Sequence, residues 1–179
     1  MIKRFALLLP LLLCISFPAL ANEPIRVIEG KVIKVNDGDT IQVRDNLGTK
    51  VKVRLYGIDA PETEKTNKKT GRVSKPGQPY GGEAYQALKD KVGGQRVKVE
   101  VIEIDRYKRA VSKVWNGKRN INQEMVREGY AWAYRHYLDY YDAVEYTSAE
   151  DQAKLAKRGL WQQSNPQPPW EFRKSLKRK

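Results

Sequence analysis

The segment V-K-V-R-L-Y-G-I-D-A-P-E-T, residues 51–63, decides how this chain folds. In its first half apolar and polar side chains alternate, so that Val53 and Leu55 point to one face and Arg54 to the other. This period of two is typical of a half-buried β-strand. The strand runs into the acidic cluster D-A-P-E at residues 59–62, so Arg54 is predicted to lie on a polar face close to carboxylates at a strand end.

Four more segments have the pattern of strands and are separated mostly by turn residues. They comprise residues 25–35, 40–44, 95–104 and 111–115. In the third of these the apolar positions change phase between Val101 and Ile102, which predicts a β-bulge. The chain is therefore expected to form five strands.

Three helices are predicted in the remainder. They comprise residues 82–92, residues 121–128 behind an N-cap at Asn120, and a third helix that begins near Ser148. Residues 63–80 are rich in Lys, Gly, Thr and Pro and are predicted to form a long mobile loop. The chain after Asn165 is Pro-rich and then basic, which is typical of a solvated, disordered tail.

The first residues have the pattern of an export signal. Lys3 and Arg4 precede an apolar run at residues 5–20, and Ala19-Leu20-Ala21 matches a signal-peptidase site, so cleavage is predicted after Ala21. A retained membrane anchor is the alternative, but the run is shorter than the ~20 apolar residues that span a bilayer. The mature protein is therefore expected to be secreted or periplasmic, with no stable membrane insertion.

Composition limits the chemistry of the mature chain. The single cysteine, Cys14, lies in the leader, so a disulfide scaffold and a thiolate zinc site are both excluded. Loss of Lys3 and Arg4 lowers the net charge from +13 to +11, because residues 1–21 contain no acid. Such an excess favours a polyanionic partner: nucleic acid, anionic lipid or a heparin-like polymer.

Three polar clusters could carry chemistry together. D-G-D-T at residues 37–40 and D-A-P-E at residues 59–62 follow strands, and D-R-Y-K-R at residues 105–109 joins two others. D-G-D-T alone is more typical of a hairpin corner. With Arg54 and the other clusters, however, it offers hard oxygen ligands for a cation and guanidinium groups for a phosphate. Because His136 is the only histidine, calcium or magnesium is a more natural cation than a transition metal.

In this order and spacing, V-N-D-G-D-T, V-R-L-Y-G-I-D-A-P-E-T and D-R-Y-K-R resemble the staphylococcal nuclease (thermonuclease) family. The resemblance extends over residues 28–161 and includes Y-G-G-E-A at residues 80–84. It implies a mainly β, α+β fold: an OB-fold with a five-stranded closed barrel and three α-helices. The organisation expected from it is a signal peptide at residues 1–21, one domain at 22–163 and a flexible tail at 164–179.

The resemblance also implies an activity. Members of this family are calcium-dependent, sugar-nonspecific endonucleases that act on DNA and RNA and leave 3′-phosphate ends. Ca²⁺ is thus the expected cofactor and nucleic acid the expected substrate. No protein partner is implied, and a monomer is expected.

The expected metal site comes from the same resemblance. Asp39 and Asp59 correspond to the side-chain ligands of calcium, and the backbone carbonyl of Ala60 completes the set supplied by the protein. Asp37 and Thr40 correspond to residues that support these ligands.

The expected reacting groups are an acid and two arginines. Glu62 corresponds to the residue that positions or deprotonates the attacking water. Arg54 and Arg109 correspond to the arginines that grip the scissile phosphate. Lys108 stands where the family usually has glycine, which puts the direction of Arg109 in doubt if the turn requires a positive φ.

Aromatic residues near these motifs are candidates for contact with a base. Tyr107, Tyr134 and Tyr137 are predicted to bind substrate, by stacking on a base or by forming the wall of the pocket. The sequence favours Tyr134 or Tyr137 for the stacking contact but does not choose between them.

Two other classes of function are open at this point. A secreted OB-fold module that binds nucleic acid without cutting it would explain the charge, but it leaves the three acids and two arginines unexplained. A protein that adheres to the cell envelope would explain charge and export, but not the paired acidic clusters. Binding without cleavage would favour the first class, and salt-sensitive lipid binding would favour the second.

Overall fold

The structure, a computed structural model, describes residues 23–177 of the 179-residue chain. The predicted leader at residues 1–21 lies outside the described residues. The strands are β1 Arg26–Asp37, β2 Thr40–Asp45, β3 Lys50–Leu55, β4 Ile58–Asp59, β5 Lys65–Thr66, β6 Val73–Lys75, β7 Arg96–Ile104, β8 Ala110–Asn116, β9 Arg119–Asn120 and β10 Trp132–Ala133. The α-helices are α1 Gly81–Val92, α2 Ile121–Arg127, α3 Tyr140–Leu155 and α4 Pro169–Leu176. Single-turn 3-10 helices lie at Arg135–Tyr137 and Gly159–Gln162.

Five long strands close into a barrel. The hydrogen-bonded order is β3-β2-β1-β7-β8-β9, and β3 also pairs with β8, which closes the sheet on itself. The closing pair is parallel, with Val53 opposite Ala110 and Arg54 opposite Val111, whereas the other neighbours are antiparallel. The five-stranded closed barrel expected from the sequence, with its OB-fold arrangement, is therefore confirmed.

The barrel interior is filled by the apolar face of each strand. Val32, Val43, Val53, Val99 and Val114 are all at most 1 % exposed. Burial of a valine side chain contributes roughly 1.5–3 kcal/mol, so the alternation of the sequence accounts for the core. The predicted bulge is also present, because the pairing of β7 with β8 shifts register between Val101 and Glu103.

The helices agree with the sequence at two positions and differ at two. Helices α1 and α2 begin and end within one residue of the predicted bounds. Helix α3 begins at Tyr140, well before Ser148, because Asp139 caps it by accepting a hydrogen bond from the Asp142 backbone N–H at 2.8 Å. The later start is predicted from small apolar residues at helical spacing, Ala149, Ala153 and Ala156, which begin only in the second half of this helix. No helix among the described residues has the length and apolarity needed to cross a membrane.

Two segments predicted to be irregular contain regular structure. Residues 63–80, expected to be a loop throughout, contain the hairpin of β5 and β6, in which Lys65 pairs with Lys75. The tail after Asn165, expected to be disordered, contains α4, so the described chain has four α-helices and not three. Pro169 occupies the first position of α4, where a missing N–H costs nothing. Contacts with the barrel, described below, stabilise the helix.

Asn122 of α2 joins the helical layer to the barrel seam. Its side chain is fully buried, donates to the carbonyls of Tyr56 at 2.9 Å and Ser112 at 3.0 Å, and accepts from the Val114 N–H at 2.9 Å. Buried backbone groups need such partners. Asn122 therefore supports the end of β3, which is the strand that carries Arg54.

Candidate active site

The turn between β1 and β2 carries Asp39 into contact with the end of β4. A side chain on Gly38 would place its Cβ 2.7 Å from the Ala60 Cβ and 2.8 Å from the Ala84 Cβ, so only glycine fits. With the turn this close, the Ala60 N–H donates to Asp39 Oδ2 at 3.2 Å. The close approach explains why the motif has glycine between its two acids.

Arg54 joins the two acids expected to bind a cation. It donates from Nη1 to Asp39 Oδ1 at 3.0 Å and from Nη2 to Asp59 Oδ1 at 2.7 Å. Burial lowers the pKa of Arg54, but the carboxylates of Asp39 and Asp59 outweigh burial and leave the pKa raised. The guanidinium is therefore charged and held in place.

Asp59 is fully buried, which makes its environment unusual for a carboxylate. Burial raises the pKa of Asp59, and the negative charge of Asp39 raises it further, against the hydrogen bonds and charges of Arg173 and Arg54. Two neighbouring carboxylates out of water repel each other and are stabilised by positive charge. In this structure Arg54 and Arg173 supply that positive charge.

Asp39, Asp59 and Ala60 fit the expected calcium ion chemically. Within residues 23–177 no group of three or more His, Cys, Asp or Glu side chains is arranged to hold a metal ion. The expected site is smaller, since it has two carboxylates and one backbone carbonyl. Asp39 and Asp59 bind the same guanidinium, and hard oxygen donors of this kind suit Ca²⁺ or Mg²⁺.

Glu62, the expected base, lies in the same cluster and is only 6 % exposed. Its carboxylate accepts from Arg173 Nη1 at 2.9 Å and is paired with Lys75 of β6. Its backbone exchanges hydrogen bonds with Gln78, and its carbonyl meets the first residue of α1 so closely that only Gly81 fits there. The loop of residues 63–80 and the start of α1 together fix the position of Glu62.

Asp37 and Thr40, both expected to support the metal ligands, differ in their contacts. Thr40 donates its hydroxyl to Asp39 Oδ1 at 2.8 Å. Asp37 instead accepts from the Thr63 N–H at 3.2 Å and from Lys65 Nζ at 3.1 Å. Burial raises the pKa of Asp37, but these hydrogen bonds and charges outweigh burial, so the pKa is lowered. Asp37 thus ties the hairpin of β5 and β6 to the site.

Arg109 is held by its own hairpin. Its Nε donates to Asp105 Oδ2 at 2.7 Å, and Asp105 also accepts from the Arg109 N–H at 2.9 Å. Burial raises the pKa of Asp105, but these bonds from Arg109 outweigh burial and lower it. Lys108 has a φ of 58°, so the turn does require the positive φ that glycine would favour. Among the described contacts, Arg109 is paired with Asp105 and not with Asp39, Asp59 or Glu62.

The three tyrosines divide between two places. Tyr107 is exposed on the hairpin, where the cations of Arg106 and Arg109 lie 4.9 and 5.5 Å from its ring centroid. Tyr134 and Tyr137 are in edge contact, with centroids 5.0 Å apart. Tyr134 follows β10, in which Trp132 pairs with Asp59, so it lies next to the acidic cluster. Burial, Tyr137 and the negative charge of Asp59 raise the pKa of Tyr134.

Sequence reasoning did not identify Lys65 and Lys75, which pair with Asp37 and Glu62, or two residues on α4. Arg173 bonds to Asp59 and Glu62, and Trp170 stacks on Tyr134 with centroids 5.0 Å apart and an interplanar angle of 12°. The segment P-P-W-E-F-R-K, residues 168–174, carried the signal. It has Pro at a helix start, with Trp and Arg three residues apart on one face.

The fold and the site define a class of protein: an OB-fold barrel with carboxylates and an arginine converging at one end, as hydrolysis of a phosphodiester requires. A family model described as staphylococcal nuclease homologue matches residues 52–163. The chain belongs to this family.

Relatives of the chain include two bacterial proteins and one from a plant. A micrococcal nuclease of Shigella flexneri is 38% identical over 174 residues, covering 92% of this chain and 88% of the relative. An uncharacterized endonuclease of Escherichia coli O157:H7 is 38% identical over 167 residues, covering 92% of this chain and 95% of that protein. A probable staphylococcal-like nuclease of Oryza sativa subsp. japonica is 33% identical over 144 residues, covering 80% of this chain and 32% of that protein.

Proposed function

We propose that this chain, a phosphodiester hydrolase by its family, is an exported calcium-dependent endonuclease that cuts DNA and RNA without regard to the sugar and leaves 3′-phosphate ends. One observation carries the proposal: Arg54 bonds to both Asp39 and Asp59. A fixed guanidinium beside two buried acids provides phosphate recognition next to a cation site.

Each residue has a task set by its surroundings. Asp39, Asp59 and the carbonyl of Ala60 would hold Ca²⁺, which when bound supplies positive charge to the developing negative charge on the phosphate. Arg54 donates to phosphate oxygens from a position fixed by β3. Glu62 accepts a proton from the attacking water, a role that needs a carboxylate within hydrogen-bond reach of that water.

Arg109 is the second phosphate-binding arginine in this proposal. Its pairing with Asp105 keeps the guanidinium charged and orients it from outside the acidic cluster. Tyr134 and Tyr137 supply aromatic faces beside Asp59, and Tyr107 supplies one beside Arg109. Aromatic faces next to cationic groups are typical of proteins that bind single strands without sequence preference.

Export, substrate range and product ends rest on other observations. The leader pattern at residues 1–21 supports export, and the net charge, +13 with the leader and +11 without it, supports a polyanionic substrate. The 3′-phosphate ends, the monomeric state and the choice of calcium follow from the family resemblance. A non-catalytic nucleic-acid-binding module is the alternative function.

The proposal is tested with the mature chain, residues 22–179, on plasmid DNA and on RNA, with calcium, with magnesium and with a calcium chelator. Calcium-dependent degradation of both polymers is expected, with phosphatase-sensitive 3′ ends on the products. Asp39→Asn removes the negative charge at constant size and should remove the activity, whereas Asp90→Asn, on the exposed face of α1, should keep it. Tight binding without cleavage under every cation would establish the binding module instead.

A further inference from the structure

The C-terminal helix α4 covers the acidic cluster with a positive charge. Arg173 donates from Nη1 to Asp59 Oδ1 at 3.1 Å and to Glu62 Oε1 at 2.9 Å, and from Nη2 to Asp59 Oδ2 at 2.7 Å. One side chain thus binds both oxygens of a proposed calcium ligand and one oxygen of the proposed base. Arg54 uses only Oδ1 of Asp59, whereas Arg173 also uses Oδ2, so a cation and Arg173 compete for the oxygen that Arg54 leaves free.

The same helix covers the aromatic part of the site. Trp170 stacks nearly parallel on Tyr134 and meets Trp132 edge-on, with centroids 5.7 Å apart. A nucleic-acid base would use the face of Tyr134 in the same way. Helix α4 therefore places an aromatic ring and a positive charge where a nucleotide and its cation are proposed to bind.

Few other contacts hold α4 in place. It is eight residues long, and helices of that length are marginal in water without tertiary contacts. Besides Arg173 and Trp170, the segment is tied by a hydrogen bond from Gln78 Nε2 to the Gln167 carbonyl at 3.2 Å, Pro169 is buried and Phe172 is half-buried. The side chain of Arg173 is 37 % exposed, so water reaches the ion pair from one side.

We propose that α4 is an internal competitor, which fills the cation and nucleotide sites of the free protein and leaves when calcium and nucleic acid bind. This inference rests on the proposed function. In most molecules of the free protein α4 then covers the site. The apparent affinity for calcium equals the affinity of the uncovered site multiplied by the fraction of molecules in which α4 has left.

Calcium titration of residues 22–179 by calorimetry tests the competition without measuring activity. Arg173→Ala should lower the dissociation constant for calcium by about tenfold, because the closed state loses its ion pairs. Lys174→Ala is the matched control, since Lys174 is the next residue in α4, is exposed and forms no ion pair within residues 23–177. If Arg173→Ala does not fold, as judged by thermal melting, Arg173→Gln removes the charge and keeps hydrogen-bond donors.

Equal or weaker calcium binding by the Arg173 variants would overturn the competition. If no variant bound calcium, the competition and the calcium site of the proposed function would both be overturned. Normal calcium binding without cleavage would sink the proposed nuclease function alone. In the presence of calcium, Trp170→Ala should strengthen the binding of a mononucleotide several-fold. Unchanged binding would overturn the proposal that Trp170 fills the nucleotide site.

A second, independent feature is a basic groove between the middle of β1 and the end of α1. The groove has a volume of about 560 Å³ and no acidic residue in its lining. Its charged lining residues are Lys31, Lys34, Arg44 and Lys89. All four are exposed, and none forms an ion pair within the described part of the chain.

The composition and position of this basic groove suit a nucleic-acid backbone. The Lys89 ammonium lies 6.0 Å from the ring centroid of Tyr85, which also lines the groove. Lys34 precedes Asp37 by three residues on the strand that leads to the acidic turn. We infer that the basic groove binds the phosphates of long substrates outside the active site, an inference that also rests on the proposed function.

The triple variant Lys31→Gln, Lys34→Gln, Lys89→Gln tests the basic groove. Binding of a 30-base-pair duplex is measured at several salt concentrations in the presence of a calcium chelator. The number of counterions released on binding should be about three lower than for the unaltered protein. Its kcat/KM on plasmid DNA should fall about tenfold, while its kcat/KM on a dinucleotide should not change. The matched control, Lys118→Gln, Arg127→Gln, Lys157→Gln, removes the same charge from exposed positions outside the groove.

An equal loss in the control triple variant would show that only net charge matters and would overturn the groove. An equal loss on the dinucleotide would do the same, because the groove is proposed to bind only phosphates that lie outside the active site. Absence of dinucleotide cleavage in the unaltered protein would instead count against the proposed function.

Discussion

Strand β3 and helix α4 each bring an arginine to the same carboxylate. Arg54 and Arg173 both bond to Asp59 at 2.7 Å. Arg54, however, is 19 % exposed and lies five residues from Asp59 along the chain, whereas Arg173 is 37 % exposed and lies 114 residues away. The two hydrogen bonds to Asp59 have the same length, but the two arginines differ in exposure and in their distance along the chain.

The difference lies in the backbone behind each side chain. Strand β3 is hydrogen-bonded on both sides, to β2 and β8, so Arg54 cannot leave without opening the barrel. Helix α4 is held mainly by the contacts that it makes in the site, and local segments with few contacts open at a small free-energy cost. Arg54 is therefore suited to catalysis, and Arg173 to a reversible contact.

The largest effect is expected from Asp39→Ala, which removes a proposed calcium ligand that also accepts a hydrogen bond from Arg54. The kcat/KM for DNA should fall by about 1,000-fold or more, a loss of ~4 kcal/mol of transition-state stabilisation. The barrel should stay folded, because the variant also relieves the repulsion between Asp39 and Asp59. Nuclease assays with thermal melting would check both points, and a wild-type rate would refute the cation assignment.

Asn122→Ala should destabilise the barrel around β3, the strand that carries Arg54. The variant leaves the Val114 N–H and two carbonyls without their partner, and the free energy of unfolding should fall by about 3 kcal/mol. Urea denaturation would measure the loss, with Asn46→Ala at an exposed position as the control. A change below about 1 kcal/mol would mean that water or a local shift replaces these hydrogen bonds.

Arg54→Lys and Arg173→Lys test directly whether the two arginines have different roles. A lysine cannot bridge two carboxylates and donate to phosphate in a fork, so Arg54→Lys should lower kcat by about 100-fold. Arg173→Lys should instead leave kcat equal or higher and should strengthen calcium binding. Steady-state kinetics and calorimetry on the pair of variants distinguish the two roles, and similar losses in kcat would show that both arginines serve the reaction.

The smallest effect is expected at Lys108, in the hairpin that holds Arg109. Because its φ is 58°, Lys108→Gly should raise the free energy of unfolding by about 0.5–1 kcal/mol. Thermal melting would detect the change, and Gly117→Ala, at a φ of 62°, should shift stability the opposite way. A lower melting temperature for Lys108→Gly would show that the lysine side chain stabilises the turn.

Much of the barrel could be predicted from the sequence because a strand is recognised from the alternation of a few neighbouring residues. The alternation around Arg54 and the phase change after Val101 both involve residues only a few positions apart. The proximity of Asp39, Asp59 and Glu62 was accessible only through the family motifs, because residues 37–40 and 59–62 meet through barrel closure. The catalytic and metal-binding roles of these residues stay predictions.

The errors have a common origin. The start of α3 was missed because its first half buries Tyr146 and Asp142, not the small residues of a simple stripe. Helix α4 was missed because a short basic segment resembles a disordered tail until its partners are known. The prediction for Arg109 did not foresee its bond to Asp105, since spacing alone does not give the direction of a side chain.

By itself, the sequence determined the strands, the barrel, the family and the set of acids and arginines, because these depend on local periodicity and on motifs that persist in the chain. Only the tertiary structure decided that Arg54 bridges Asp39 and Asp59, that Arg109 is held by Asp105, and that α4 lies over the site. These outcomes depend on pairings between distant residues. Local patterns do not encode such pairings, which burial and charge select once the chain is compact.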